Sequence, residues 1–166
     1  MQFTDYEKSF ATFSEDNKNR YSLFRQWDST KPVAMVIGLN PSNANGNEDD
    51  PTIGFVYRVL NFNGYGGFFM MNLFTMITPH PSELVIDYNW RHAKELWEVT
   101  APFCKDVVFA WGAFKTQGRE KTAIDLFPNA LCFGKLKKGQ PRHPMYLKNE
   151  TPLIKFNRAV GAIKNE

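Results

Sequence analysis

Two amides and one imidazole are the side chains of this sequence best suited to chemistry on a planar ligand. Asn40 ends the apolar run 33–39 within Gly38-Leu39-Asn40-Pro41-Ser42, and Asn72 ends a second run, Phe68-Phe69-Met70-Met71. His143 stands in a basic loop, Pro141-Arg142-His143-Pro144. An amide offers a donor and an acceptor together, so it can read the edge of a base in two-pronged fashion. Plainer roles exist for each. Asn40 before a proline can simply shape a turn, and His143 can be a loop residue at the surface. Asn72 is harder to explain that way, because an amide inside a core strand needs partners. Asp49-Asp50 reads as a solvated helix cap, and His80 and His92 as peripheral.

A parallel sheet is what would bring these residues to one edge. Apolar runs at 33–39, 68–73, 107–111 and 130–133 read as strands buried on both faces. Tyr21-Ser22-Leu23-Phe24-Arg25-Gln26-Trp27 half-alternates and reads as an edge strand, while residues 1–20 show no firm period. Asp50-Pro51 opens a helix through Phe55, Val56, Val59 and Leu60 that Asn63-Gly64 stops. Asn89 reads as the cap of a helix with Ala93, Leu96, Trp97 and Thr100 on one face. A third helix is expected over about 116–127, and a last one from Pro152. The alternation of strand and helix predicts a three-layer α/β sandwich with a central, mainly parallel four-stranded sheet. One domain is expected over 1–166, with its core at about 21–150.

Composition sets the outer bounds. With 166 residues, 43% hydrophobic and 22% charged, the chain can bury a real core as one domain. No apolar run approaches a membrane span, and Met1-Gln2-Phe3-Thr4-Asp5 lacks the regions of a signal peptide, so a cytoplasmic monomer is expected. Cys104 and Cys132 sit in apolar surroundings without metal spacing and read as buried thiols. No metal and no cofactor is called for. The net charge of +3 is uneven: after residue 130 there are eight Lys or Arg against two Glu, and before it twelve basic against fifteen acidic residues. That asymmetry suggests a basic face able to meet phosphates.

Taken in order, Gly38-Leu39-Asn40-Pro41-Ser42, Met70-Met71-Asn72-Leu73, Val108-Phe109-Ala110-Trp111-Gly112 and His143-Pro144-Met145-Tyr146-Leu147 resemble the uracil-DNA glycosylase superfamily. The resemblance covers about 33–147. Asp49-Asp50-Pro51-Thr52 and Pro141-Arg142-His143-Pro144 look closer still to a bacterial and phage family described only as a domain of unknown function. Some glycosylases of this general kind serve in phage defence. The resemblance implies the superfamily's fold and a DNA partner. It implies that Asn40 positions a water, Asn72 binds a flipped base and His143 donates to the base oxygen. Gly38, Leu39, Pro41, Ser42 and Trp111 would complete the base pocket, with Phe55 or Phe62 stacking on the base. Leu147 would wedge into the stack beside Tyr146, and Lys135, Lys137, Lys138 and Arg142 would contact phosphates.

One departure bears on specificity. Strict uracil enzymes carry a tyrosine where this chain has Ser42, and that tyrosine blocks the thymine methyl. A small residue there implies a pocket open to 5-substituted pyrimidines: thymine in mismatches, 5-hydroxymethylcytosine or its glucosylated phage form. The expected activity is therefore a monofunctional DNA glycosylase for a modified or mismatched pyrimidine. Two other readings stand beside it. One is a non-catalytic nucleic-acid or nucleotide-binding relative, which fits the missing acidic activator at position 40. The other is a metal-assisted hydrolase built on Asp49, Asp50 and His143.

Overall fold

The computed structural model describes residues 5–84 and 89–156. The chain runs β1 (Lys8–Phe13), β2 (Arg20–Gln26), β3 (Val33–Gly38), α1 (Pro51–Phe62), β4 (Gly67–Asn72), α2 (Trp90–Thr100), β5 (Asp106–Ala110), α3 (Arg119–Leu126), β6 (Leu131–Cys132) and β7 (Ile154–Lys155). Short 3-10 turns occupy Pro81–Glu83 and Ala101–Phe103. The strands form one seven-stranded sheet in the order β1-β2-β4-β3-β5-β6-β7.

The four expected strands are its middle. β3 pairs in parallel with β4 and β5, and β5 pairs in parallel with β6. The sheet as a whole is mixed, because β1 and β2 extend it antiparallel on one side and β7 on the other. The stretch 21–27 is accordingly not an edge strand: β2 lies between β1 and β4 and is mostly buried. The edge is β1, whose residues alternate between exposed and only half-buried. A strand with so weakly buried a face carries little apolar signal, which is why 1–20 reads as patternless. No helix starts at Pro152; Ile154–Lys155 pairs with β6 as β7, and residues from 157 onward lie outside those described.

Alternation along β3 feeds two separate cores. Ala34 and Val36 meet Ile53, Val56, Val59 and Leu60 of α1 on one face. Met35 and Ile37 meet Trp97 of α2 and Ala123 of α3 on the other. Burying one such aliphatic side chain is worth about 1.5–3 kcal/mol, so the stripe on α1 outweighs the helix's own propensity. Asp50 caps α1 as expected, but buried rather than solvated: its Oδ1 accepts from the Ile53 N–H at 2.9 Å, with Pro51 at the first helical position. Asn89 does not cap α2 through its side chain; its Oδ1 accepts from the Tyr21 hydroxyl at 3.3 Å.

The polar loop 43–50 cannot bury itself, and β2 supplies what holds it down. Arg25 pairs with Asp49 through Nε at 2.9 Å, both side chains being 1% exposed or less. The same guanidinium donates to the carbonyls of Phe24, Asn45 and Glu48, and the Tyr6 hydroxyl donates to Asp49 at 2.6 Å. Arg20 Nη1 donates to the Ala44 carbonyl at 3.0 Å. Removing one member of a buried ion pair strands the other charge and costs about 3–5 kcal/mol. Asp49→Ala should lower stability by that amount in urea denaturation. A loss within the roughly 0.5 kcal/mol of an ordinary surface substitution would contradict this account of the loop.

Candidate active site

The chain leaves β3 for β4 through α1 and leaves β5 for β6 through α3, in opposite directions across the sheet. The two helices lie on opposite faces. Beyond the carboxyl ends of two strands so connected a crevice opens, and open α/β sheets place ligands there. A cavity of about 690 Å³ occupies this position. That falls inside the roughly 300–1,000 Å³ of small-molecule sites. The loop after β3, the loop after β5, Asn72 and the His143 loop all line it.

Its amides are prepared differently. Gly38 pairs in register with Asn72, and a Cβ at 38 would sit 2.9 Å from Asn72 Oδ1 and 2.7 Å from Met70 Cε. Glycine therefore makes the room that Asn72 occupies. Asn72 is 4% exposed, and its Oδ1 is buried with no hydrogen-bond partner. Leaving such a group unpaired costs about 1–3 kcal/mol, which a donor on a ligand would recover. Asn40 is already committed on its donor side, since Nδ2 donates to the carbonyls of Pro41 at 3.0 Å and Thr78 at 2.7 Å. Both amide hydrogens being used, Asn40 has its acceptor Oδ1 left for chemistry.

His143 is held as a donor. Its Nδ1 accepts from the Met145 N–H at 3.1 Å, so a neutral ring carries its proton on Nε2. Burial lowers its pKa below the usual histidine value, with the Asp50 charge opposing the shift. Gly112 is what lets the ring come so close. It has φ +75°, it donates to the Pro141 carbonyl at 3.0 Å, and a Cβ there would lie 3.2 Å from His143 Cβ. The segment before His143 doubles back as a narrow hairpin: Leu136 N–H to the Gln140 carbonyl at 2.8 Å and Arg142 N–H to the Gly134 carbonyl at 2.9 Å. Lys137 and Lys138 are exposed at its tip, while Arg142 reaches the cavity wall.

The fold thus gathers Gly38, Leu39, Asn40, Pro41, Ser42, Asn72, Arg142 and His143 around one space. Four other expected site residues stand apart. Trp111 is 2% exposed and packs on Phe109 and Phe156 in the core. Leu147 is 3% exposed in the core under α1, so it presents no wedge. Phe55 lies outside the cavity lining, beside Tyr146 with ring centroids 6.0 Å apart. Phe62 is exposed and lies outside it as well. Asp49 is spent on Arg25 and Tyr6, and among the described residues no three His, Cys, Asp or Glu gather to hold a metal ion. The hydrolase constellation of Asp49, Asp50 and His143 does not assemble. Both thiols are free and pushed up by burial, Cys104 to about 12.

Several lining residues escape the sequence reading. Asp50, a helix cap in the main reading and a metal ligand only in the hydrolase alternative, also lines the cavity, and its Oδ2 accepts from the Ala44 N–H at 3.2 Å. Arg20 lines it at 2% exposure, its pKa pushed down to about 10 mainly by burial. Phe114, 58% exposed, is an aromatic at the rim. Arg20 opens a strand that also carries Ser22, Arg25 and Gln26, so no local signal marked it. Phe114 had only its place after Trp111-Gly112.

Residues 20–145 match the family described as "Protein of unknown function (DUF1643)". The chain belongs to that family. No curated protein and no solved structure matches it. Among the described residues no helix is long and apolar enough to cross a membrane.

The histidine yields a pH signature. Its pKa lies below the unfolded value of 6.5 in the fold, so between the two the unfolded chain binds more protons. Its contribution is complete above 6.5 and is lost as pH falls through the folded value. Urea midpoints measured across that range should fall more steeply for the wild type than for His143→Gln. Parallel profiles for the two proteins would contradict a buried, neutral His143.

Proposed function

We propose that this protein is a monofunctional DNA glycosylase that hydrolyses the N-glycosidic bond of a flipped, modified or mismatched pyrimidine and leaves an abasic site. What carries the reading is the meeting in one cavity of a fixed acceptor at Asn40, an unpartnered buried amide at Asn72 and a neutral imidazole donor at His143. The arrangement also supports placing the DUF1643 chain within the uracil-DNA glycosylase superfamily.

The proposed chemistry follows from those groups. Breaking the glycosidic bond passes through an oxocarbenium-like sugar, which water attacks readily once it is oriented. Asn40 Oδ1 accepts a hydrogen from that water and aims its oxygen at the anomeric carbon. The base departs with the bonding electrons, and the negative charge spreads to its carbonyl oxygen. The proton that the water gives up on becoming the sugar hydroxyl passes through solvent to the released base and neutralises it. His143 Nε2–H stabilises that oxygen as an oxyanion-type donor. Asn72 pairs with the base edge, and Phe114 at the rim offers a stacking face. A neutral histidine suits this task, because the developing anion needs a hydrogen bond and Nδ1 is already tied to the backbone.

The DNA-facing rim is proposed to run from the hairpin tip to Tyr146. Leu147 being buried, the residue available to hold open the stack is Tyr146, 81% exposed and at φ 65°. Its neighbour Phe55 carries Arg58 4.8 Å above its ring, adding a cation beside the aromatic pair. Lys135, Lys137 and Lys138 are exposed, in reach of a phosphate backbone following the hairpin.

An excision panel tests the activity. Duplexes carrying uracil, mismatched thymine, 5-hydroxymethylcytosine or its glucosylated form are incubated with protein and then cleaved with alkali at abasic sites. Wild type should release at least one of these bases, and Asn40→Ala should do so about 100-fold more slowly, the cost of a misplaced reactant. Activity on no substrate together with retained DNA binding would favour a non-catalytic binding module. Separately, Lys137→Ala combined with Lys138→Ala should lower the slope of log affinity against log salt by about two. An unchanged slope would remove the hairpin from the interface.

A further inference from the structure

Arg20 and Asp50 have no part in the chemistry just described, yet both are buried and both line the cavity. Each is anchored to the loop after β3 by one residue, Ala44: Arg20 Nη1 donates to its carbonyl at 3.0 Å and Asp50 Oδ2 accepts from its N–H at 3.2 Å. Opposite charges held by the same residue would ordinarily close into an ion pair. These two do not, although the Asp50 charge acts on Arg20. The described ion pairs are Arg25–Asp49, Lys31–Asp28 and Lys94–Glu98. Arg20 Nε is left buried without any hydrogen-bond partner. Arg20 and Asp50 thus both belong to the lining of a cavity that fits a small ligand, and the guanidinium has hydrogen-bonding capacity that the fold leaves unused.

We infer that Arg20 and Asp50 form a hydroxyl-reading subsite, so that the base taken by this cavity carries a hydroxylated substituent. The inference rests on the glycosylase reading and narrows its substrate class. Charge decides among the candidate groups. A phosphate or carboxylate would gain from Arg20 but would be repelled by the Asp50 charge, which lines the same cavity. A methyl group would leave both ions without new partners in a desolvated wall. A hydroxyl does neither, since it accepts from the guanidinium and donates to the carboxylate at once. Ser42 and Thr52 line the same wall and add hydroxyls of their own.

Calorimetric titration of the intact protein with free nucleosides tests this without requiring catalysis. 5-Hydroxymethyl-deoxycytidine should bind at least about tenfold more tightly than 5-methyl-deoxycytidine, the worth of one hydrogen bond to a charged group. Arg20→Lys, which keeps a buried cation on a shorter set of donors, should narrow that preference to about twofold or less while leaving affinity for the methyl compound in place. Asp50→Asn preserves a good helix cap and should narrow it likewise. Melting temperatures near wild type establish that both variants fold. If both are unfolded, the wild-type preference still decides. Equal affinity of the wild type for the two nucleosides, or a preference that survives both substitutions, overturns the subsite alone. Binding of neither nucleoside to the wild type overturns the base-pocket reading and the subsite with it.

Discussion

Gly38 is paired in register with Asn72 on one side and with Ala110 on the other, so three apolar strands run out of the sheet at one level. Parallel pairing makes this unavoidable: strands that share a direction must present their carboxyl ends together. Asn40, Asn72 and His143 enter from those ends or from a loop packed over them, while Arg20 enters from the start of the antiparallel β2. The missing side chain at 38 leaves the volume in which Asn72 sits, and the left-handed turn at 112 admits His143. Backbone geometry at two glycines therefore sets the spacing of the polar groups more directly than any contact among those groups.

Burial is the second constraint, and it acts on charge. β2 carries two arginines into the interior, and they have different fates. Arg25 is closed off by Asp49 and three carbonyls, and its role is to hold the loop after β3. Arg20 holds the same loop with one nitrogen, leaves another unpaired, and lines the cavity. Burying a cation is costly, and a fold that gains only stability from one has little reason to leave its donors unfilled. The contrast between the two arginines separates a structural ion from one placed to meet a ligand. Asp50 joins both purposes, capping α1 while charging the cavity.

Membership in DUF1643 spans 20–145, from Arg20 at the start of β2 to Met145 just past His143. The matched segment therefore contains every residue given a part in base binding or catalysis, while β1 and β7 fall outside it. Those strands pair only at the two margins of the sheet. The site belongs to the parallel middle, and the antiparallel additions complete the sheet around it.

The four parallel strands and the three helices were legible in the sequence because burial on both faces writes itself locally, as unbroken apolar runs and as a 3-4 spacing. So were Asn40, Asn72 and His143, each the polar break at the end of such a run or inside a basic loop. Local pattern carried no trace of which polar residues would face one another. β1 and β7 have almost no buried face to announce them, and β2 looked like an edge until β1 covered it. Trp111 and Leu147 sat beside site residues in the chain, yet the alternation of a strand end and a turn of the loop aimed them into the core. Arg20 and Asp50, thirty positions apart, come to line one cavity, each bound to Ala44. The sequence by itself determined the elements and the order of their polar ends. The tertiary structure decided which of those ends share a cavity, since that depends on register and long-range hydrogen bonds that no short window of residues contains.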